Sequence, residues 1–178
     1  KKYFKKILKE GKNLKIITIG SKGHDQLKRE YEKYIIKKLS FKNKKNISFV
    51  EANEVGKIIL DLFDKNEFDT CILFFNNFKN IMTQIPETQQ IIPAEVKNNS
   101  KKNEEIFYEF EPDEDEILED LLPKNISTQI FKAFLENSAS EQGSRMTAMD
   151  SATRNAGDLV NKLTINYNRS RQAVITKE

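Results

Sequence analysis

The chain has 178 residues, 38% of them hydrophobic and 32% charged, which is polar for a compact domain and points to a long exposed element or an absent partner. Its net charge of +3 is too mild to mark a nucleic-acid binder by itself. No apolar run approaches the roughly 20 residues of a bilayer-spanning helix, so direct membrane insertion is not expected. Cys71, the single cysteine, lies in the apolar run "CILFF". It reads as a small buried hydrophobe in a reducing compartment.

The first segment, "KKYFKKILKEG", spaces Tyr3, Phe4, Ile7 and Leu8 as a helix does, with Gly11 as its stop. Residues 14–19, "LKIITI", predict a strand, and "GSKG" at 20–23 a turn. A helix is expected next, with Leu27, Tyr31, Ile35 and Leu39 on one face. "ISFV" (47–50) predicts a second strand. Asn53 is the expected cap of a helix that buries Val55, Ile58, Ile59, Leu62 and Phe63. "TCILFF" (70–75) reads as a third strand, apolar on both faces.

Strand, helix, strand, helix, strand predicts a parallel βαβαβ core. "FKNIMTQI" (78–85) alternates like a half-buried strand, and "IFYEF" (106–110) adds another after the polar loop 96–105. The expected fold class is therefore α/β: a Rossmann-like mixed sheet, a βαβαβ core plus added strands, with a long C-terminal coiled-coil helix. The expected division is a globular domain at 1–122 and a long helix at 123–178.

From Pro123 onward the pattern is helical throughout. Residues 126–178 would span roughly 80 Å, more than a domain of this size covers. Ile126, Ile130, Phe131, Phe134 and Leu135 are expected to lie on the sheet. Beyond them Gln142, Met146, Met149, Thr153, Ala156, Val160, Leu163, Tyr167, Ser170 and Val174 recur in alternating steps of four and three. That is an a/d heptad seam, which predicts left-handed supercoiling against another helix. Ala156 and Ser170 are small enough to let two backbones approach closely. The seam is also weaker per residue than one of leucines, as are the mid-helix positions Gly143 and Gly157. Arg145, Arg154, Lys162, Arg169 and Arg171 carry the polar face, either solvated or set to meet carboxylates.

Other signals point away from catalysis. "GSKGHD" has neither phosphate-loop spacing, and His24 is the only histidine, so no metal site or catalytic triad is expected. "EPDEDEILED" (111–120) concentrates seven carboxylates without the ligand order of a calcium loop, and suits the first turn of a helix. "KKLSFKNKKN" (37–46) reads as a solvated basic stretch. Contact with an anionic surface stays open there. The chain starts at Lys1-Lys2 without Met and is still in helical register at Lys177-Glu178, so it is expected to be a fragment.

"SASEQGSRMTAMDSATRNAGDLVNKLTINYNRSRQAVITKE" resembles the C-terminal signature of the gamma subunit of F-type ATP synthases, and "ILFFNNFKN", "QQIIP" and "YEFEPD" resemble the family's middle domain. The resemblance implies a non-catalytic rotor without a cofactor. Its seam would pack on the family's own N-terminal helix, which is absent here. Alpha and beta subunits would surround the shaft, and the epsilon subunit and c-ring would lie at the globular foot. By position, Arg171 and Gln172 match the family's Arg-Gln pair that contacts a beta-subunit loop. Lys177 and Glu178 lie further toward the shaft's bearing, or are plain solvated helix. The implied location is peripheral, on the cytoplasmic face of the bacterial inner membrane or the matrix face of the mitochondrial one. The alternative is a coiled-coil adaptor whose Rossmann-like domain binds a small anionic ligand at the Gly20–Gly23 turn. No nucleic-acid partner is expected.

Overall fold

The computed structural model describes residues 2–41, 47–94 and 114–177. They form a mixed α/β protein with a long C-terminal helix. The chain makes two compact units: Lys1–Leu73 with Gln89–Lys132, and Phe74–Thr88 with Ala133–Glu178.

The first unit opens with α1 (Lys2–Lys9). Gly11 ends it at φ 71°, the left-handed region that glycine enters without steric cost. A strand β1 (Ile16–Ile19), a helix α2 (Ser21–Tyr31), a 3-10 turn (Glu32–Tyr34) and a strand β2 (Ile35–Leu39) follow. β2 lies parallel to β1, with Ile17 opposite Lys37 and Ile19 opposite Leu39. The helix expected to reach Leu39 therefore stops at Tyr31. Tyr31 is its buried anchor, and the Phe4 ring meets it edge-on at 5.5 Å. The β-branched pair Ile35-Ile36 suits a strand better than a further helical turn. The expected turn at 20–23 shrinks to Gly20, at φ 103°, whose N–H extends the ladder to the Leu39 carbonyl at 2.8 Å. Gly23 sits inside α2.

Residues 47–50 do not form the expected strand. Helix α3 (Phe49–Asp64) begins there, and Ser48, not Asn53, is its cap. The Glu51 carboxylate accepts the Ser48 backbone N–H at 2.7 Å and the Ser48 hydroxyl at 2.5 Å. This is the capping box of a Ser followed three residues later by Glu. Asn53 is one turn inside, where its side-chain carbonyl accepts the Ser127 hydroxyl at 3.3 Å. Val55 and Ile59 are buried as expected, joined by Glu51, Ala52 and Gly56; Phe63 is exposed.

Strand β3 (Cys71–Asn80) and strand β4 (Thr83–Ile92) are joined by two residues, which permits only antiparallel pairing. The expected strand 78–85 is the bend of this hairpin. The Asn80 side-chain carbonyl accepts the N–H groups of Met82 and Thr83 at 3.1 and 2.7 Å, making the turn without a glycine. β3 is not covered on both faces: Phe75 is buried, but Phe74 is 44% exposed. Among the described residues the strands pair as β1 with β2 and β3 with β4. The expected βαβαβ sheet does not form among them: the one parallel unit is β1–α2–β2, and its second strand lies where a helix was expected. The expected loop 96–105 and strand 106–110 lie outside the described residues.

Helix α4 (Glu114–Ile175) runs 62 residues. It begins nine residues before Pro123, which lies inside the helix instead of opening it. Asp115 and Glu116 lie in its first turn, where negative charge favours the macrodipole. In the first unit Ile126 and Ile130 are buried and Phe131 meets Phe49 edge-on at 5.8 Å. Phe134, at the start of the second unit's share of α4, is also buried. Leu135 is the exception to the expected core face: it is 51% exposed.

Burial holds the Cys71 thiol at a pKa of about 11, above the usual 9.0. Two pH units of thiolate suppression predict alkylation at pH 8 about 100-fold slower than that of a free cysteine. The sign for stability follows. The unfolded chain loses this proton first, so stability present below pH 9 is lost as the pH rises toward 11. A urea titration at several pH values checks it, and Cys71→Ser should remove the dependence.

Candidate interface on the C-terminal helix

Within the second unit, α4 has two dissimilar faces. One packs on the β3–β4 hairpin through polar and small residues. Asn137 accepts the Asn76 N–H at 2.9 Å, and Glu136 accepts the Phe78 N–H at 2.8 Å. Ser140 donates to the Asn76 carbonyl at 3.3 Å. Residues 76 and 78 turn their backbone groups to the same side of β3, so the helix's side chains satisfy a strand edge that would otherwise stand open. Ser144 donates to Gln84 at 3.1 Å, and Thr147 to the Ile81 carbonyl at 3.2 Å.

Gly143 is buried between these contacts. A Cβ there would lie 3.0 Å from Phe78 Cε2 and 3.4 Å from the Ile81 carbonyl. This face, at 136, 137, 140, 143, 144 and 147, is one that hydrophobic periodicity misses, because its residues are not apolar. Their spacing of three and four was the available signal.

The other face carries the seam. At 3.6 residues per turn, Met146, Met149, Thr153 and Ala156 lie nearly opposite the packing stripe. Met146 is 62% exposed, Met149 63%, Val160 60%, Leu163 58%, Tyr167 68% and Val174 64%. Thr153, Ala156 and Ser170 are exposed too, as is every residue from 148 to 177. Leu135 and Ala139 precede Gln142 in the same four–three rhythm, which explains why Leu135 faces outward.

The seam's threonine does not break the helix: the Thr153 hydroxyl donates back to the Met149 carbonyl at 2.9 Å. Among the polar-face cations, Arg145 pairs with Glu141 at 2.7 Å and Arg154 with Asp150, each within its own helix. Lys162, Arg169 and Arg171 have no ion pair among the described residues. Arg171 and Gln172 stand exposed in the last turn of α4, and Lys177 in the turn after it. The Thr176 N–H and hydroxyl both return to the Gln172 carbonyl, at 2.9 and 2.8 Å. Glu178 lies outside the described residues. None of the helices in the described residues is long and apolar enough to cross a membrane.

The hairpin backs α4 as far as Thr147, and from 148 onward the helix is exposed on every side, with apolar residues spaced in fours and threes. Comparison with known proteins agrees in kind. A family model described as ATP synthase matches residues 1–178. The ATP synthase gamma chain of Pelagibacter ubique (strain HTCC1062) is 65% identical over 178 residues, covering 100% of this chain and 61% of the relative. That of Sinorhizobium medicae (strain WSM419) is 50% identical over 176 residues, covering 99% of this chain and 60% of the relative. The chain thus spans about three fifths of the length of these curated relatives.

Two solved structures share the fold. The rotor of the Euglena gracilis mitochondrial ATP synthase in rotational state 1 matches with a TM-score of 0.63 and 18% identity, over 98% of this chain and 68% of that one. The central stalk and c-ring of the Tetrahymena thermophila mitochondrial ATP synthase match at 0.60 and 22%, over 78% and 60%. Its full-length family match and its identity to these relatives establish that the chain belongs to the ATP synthase gamma chain family.

Proposed function

We propose that this chain is the central-stalk rotor part of an F-type ATP synthase, coupling proton flow through the membrane ring to ATP synthesis at the beta subunits. The observation that carries the reading is the exposed seam on α4, turned away from the helix's own hairpin, in a chain of this family. Residues 1–122 form the foot, whose β1–α2–β2 unit belongs to a Rossmann-like layer, and residues 123–178 a long helix whose first part lies on the foot and whose later part is the shaft. The seam from Met146 to Val174 pairs with an N-terminal helix of the full-length protein, and alpha and beta subunits surround the pair. The epsilon subunit and c-ring meet the foot. The chain itself catalyses nothing. It works as a peripheral part of the complex, on the cytoplasmic face of the bacterial inner membrane.

Physically, a shaft of this kind acts by making three equivalent catalytic sites unequal, which requires different contacts with each. Arg171, unpaired among the described residues beside the seam, is suited to a charge-assisted hydrogen bond with a beta-subunit carboxylate. Gln172, Lys177 and Glu178 complete that contact.

Two experiments test the reading. An antibody pull-down from the source cell, read by mass spectrometry, is expected to recover alpha, beta and epsilon subunits in the ratios of the complex. If the chain comes down alone, the rotor assignment fails. In the assembled enzyme, Arg171→Ala is expected to lower ATP synthesis roughly tenfold, the worth of one charge-assisted bond, with assembly intact. Unchanged synthesis would remove Arg171 from the contact and leave the rotor reading standing.

A further inference from the structure

Charge is distributed very unevenly along the first unit. Residues 1–45 hold 16 Lys or Arg against four Asp or Glu, whereas residues 46–122 hold six against 18. The net charge of +3 conceals this. The basic block is also chemically one-sided. Fifteen of its 16 cations are lysine, with Arg29 the exception, while residues 123–178 use four lysines and four arginines. Residues 46–122 share the preference, with six lysines and no arginine, so it is the density of charge and not the choice of lysine that sets the block apart.

Within the described part of the block, α1 presents its lysines on one side. In α1 the positions 2, 5, 6 and 9 fall on one side of the helix and 4, 7 and 8 on the other. Phe4, Ile7 and Leu8 are half-buried, with Phe4 against the buried Tyr31. Their packing turns Lys5, Lys6 and Lys9 outward, and all three are exposed. Some cations of the block are paired, Lys12 with Glu10 at 2.8 Å, Lys15 with Glu67 at 2.9 Å and Lys28 with Glu32 at 3.4 Å, whereas Lys22, Lys33 and Lys37 are exposed without an ion pair among the described residues. Lys5, Lys6 and Lys9 have no ion pair among the described residues.

We propose that Lys5, Lys6 and Lys9 form a docking face for the anionic headgroups of a lipid bilayer. Lysine is a compact, mobile point charge, suited to diffuse attraction by many headgroups. Arginine, with its bidentate fork, is the residue of specific phosphate and base recognition, and this face has none. The apolar side of α1 is occupied by its own unit, so the helix adsorbs by charge and inserts nothing. The inference rests on the proposed function in one respect: a rotor of a membrane complex works beside such a surface.

The test uses the 178-residue chain and vesicles of phosphatidylcholine, with or without about 30% phosphatidylglycerol. The chain is expected to sediment with the anionic vesicles only, and to be released when ionic strength rises from about 0.05 to about 0.5 M. The triple variant K5Q/K6Q/K9Q is expected to bind at least about tenfold more weakly, since each lysine near a charged surface counts. The triple K5R/K6R/K9R keeps the charge and should bind as the parent does, which separates lost charge from lost folding. The variant K132Q/K162Q/R169Q removes the same net charge elsewhere and should bind within about twofold of the parent.

Equal losses in both neutralised variants would show net charge and not a face, and would overturn the proposal. So would equal binding to neutral vesicles, or displacement of the chain from anionic vesicles by an equal charge of duplex DNA or of polyglutamate. Pull-down of synthase subunits with K5Q/K6Q/K9Q separates the two readings. Assembly without any vesicle binding by the parent sinks the lipid proposal alone. Vesicle binding by a parent that never assembles sinks the rotor alone.

Discussion

Gly143→Val is expected to destabilise the second unit by about 2–3 kcal/mol, although valine favours a helix more than glycine does. Two effects oppose each other at this position. Replacing a mid-helix glycine recovers up to about 1 kcal/mol of backbone entropy. The added carbon, however, arrives 3.0 Å from Phe78 Cε2, 3.4 Å from the Ile81 carbonyl and 3.5 Å from Gln84 Nε2. The carbonyl cannot simply retreat, because it accepts Gln84 Nε2 at 2.7 Å and the Thr147 hydroxyl at 3.2 Å. Nor can β3 slide, since Glu136 and Asn137 hold its N–H groups. Crowding therefore wins. Gly157 gives the opposite sign. Nothing lies within 4 Å of the Cβ it would carry, so Gly157→Ala should stabilise this chain by about 1 kcal/mol. Urea melts followed by circular dichroism decide the matter, and two shifts of the same sign would contradict the packing described.

That contrast shows why periodicity reads only half of α4. The proposed seam rests on Met, Val, Leu and Tyr repeating in fours and threes, a spacing that sets a helix face whether or not a partner is present. The stripe against the hairpin uses the same spacing in Glu, Asn, Ser, Gly and Thr, and hydrophobicity says nothing of it. Its contacts are hydrogen bonds to a strand edge.

The errors in the first unit have equally local causes. Ile47 to Val50 look like a strand by residue preference, yet Ser48 and Glu51 close a capping box whose spacing was present in the sequence. A four-residue repeat from Leu27 to Leu39 mimics a helix, and the strand at Ile35 wins because it completes a parallel ladder with β1. The hairpin bend at Ile81-Met82 carries no glycine signal, since the Asn80 carboxamide supplies the turn. Pro123 was a plausible helix start. A helix already nucleated nine residues earlier can absorb a proline at about 3 kcal/mol, the sum of one lost backbone bond and the ring's crowding of the carbonyl four residues back.

Leu163→Asp is expected to leave the 178-residue chain almost unchanged and to disable the shaft of the full-length protein. In this chain Leu163 is 58% exposed amid a run of exposed residues, and an exposed substitution of this kind shifts stability by about 0.5 kcal/mol. Where the proposed N-terminal helix covers the seam, the same carboxylate is buried against apolar side chains with no cation across from it. An unpaired buried charge costs about 3 kcal/mol or more, which is over 100-fold in the balance between paired and frayed helices. Ile165 supplies the comparison. It is 66% exposed and lies nearly across the helix from Leu163, off the seam. Ile165→Asp carries the same chemistry to the other face and should leave the pair intact. Hydrogen exchange of residues 146–174 in the two full-length variants distinguishes the faces: protection should collapse for Leu163→Asp and persist for Ile165→Asp. Equal protection in both would mean that the stripe from Met146 to Val174 is no seam. The exposed face of α4 would then need a different explanation from the one its spacing supplies.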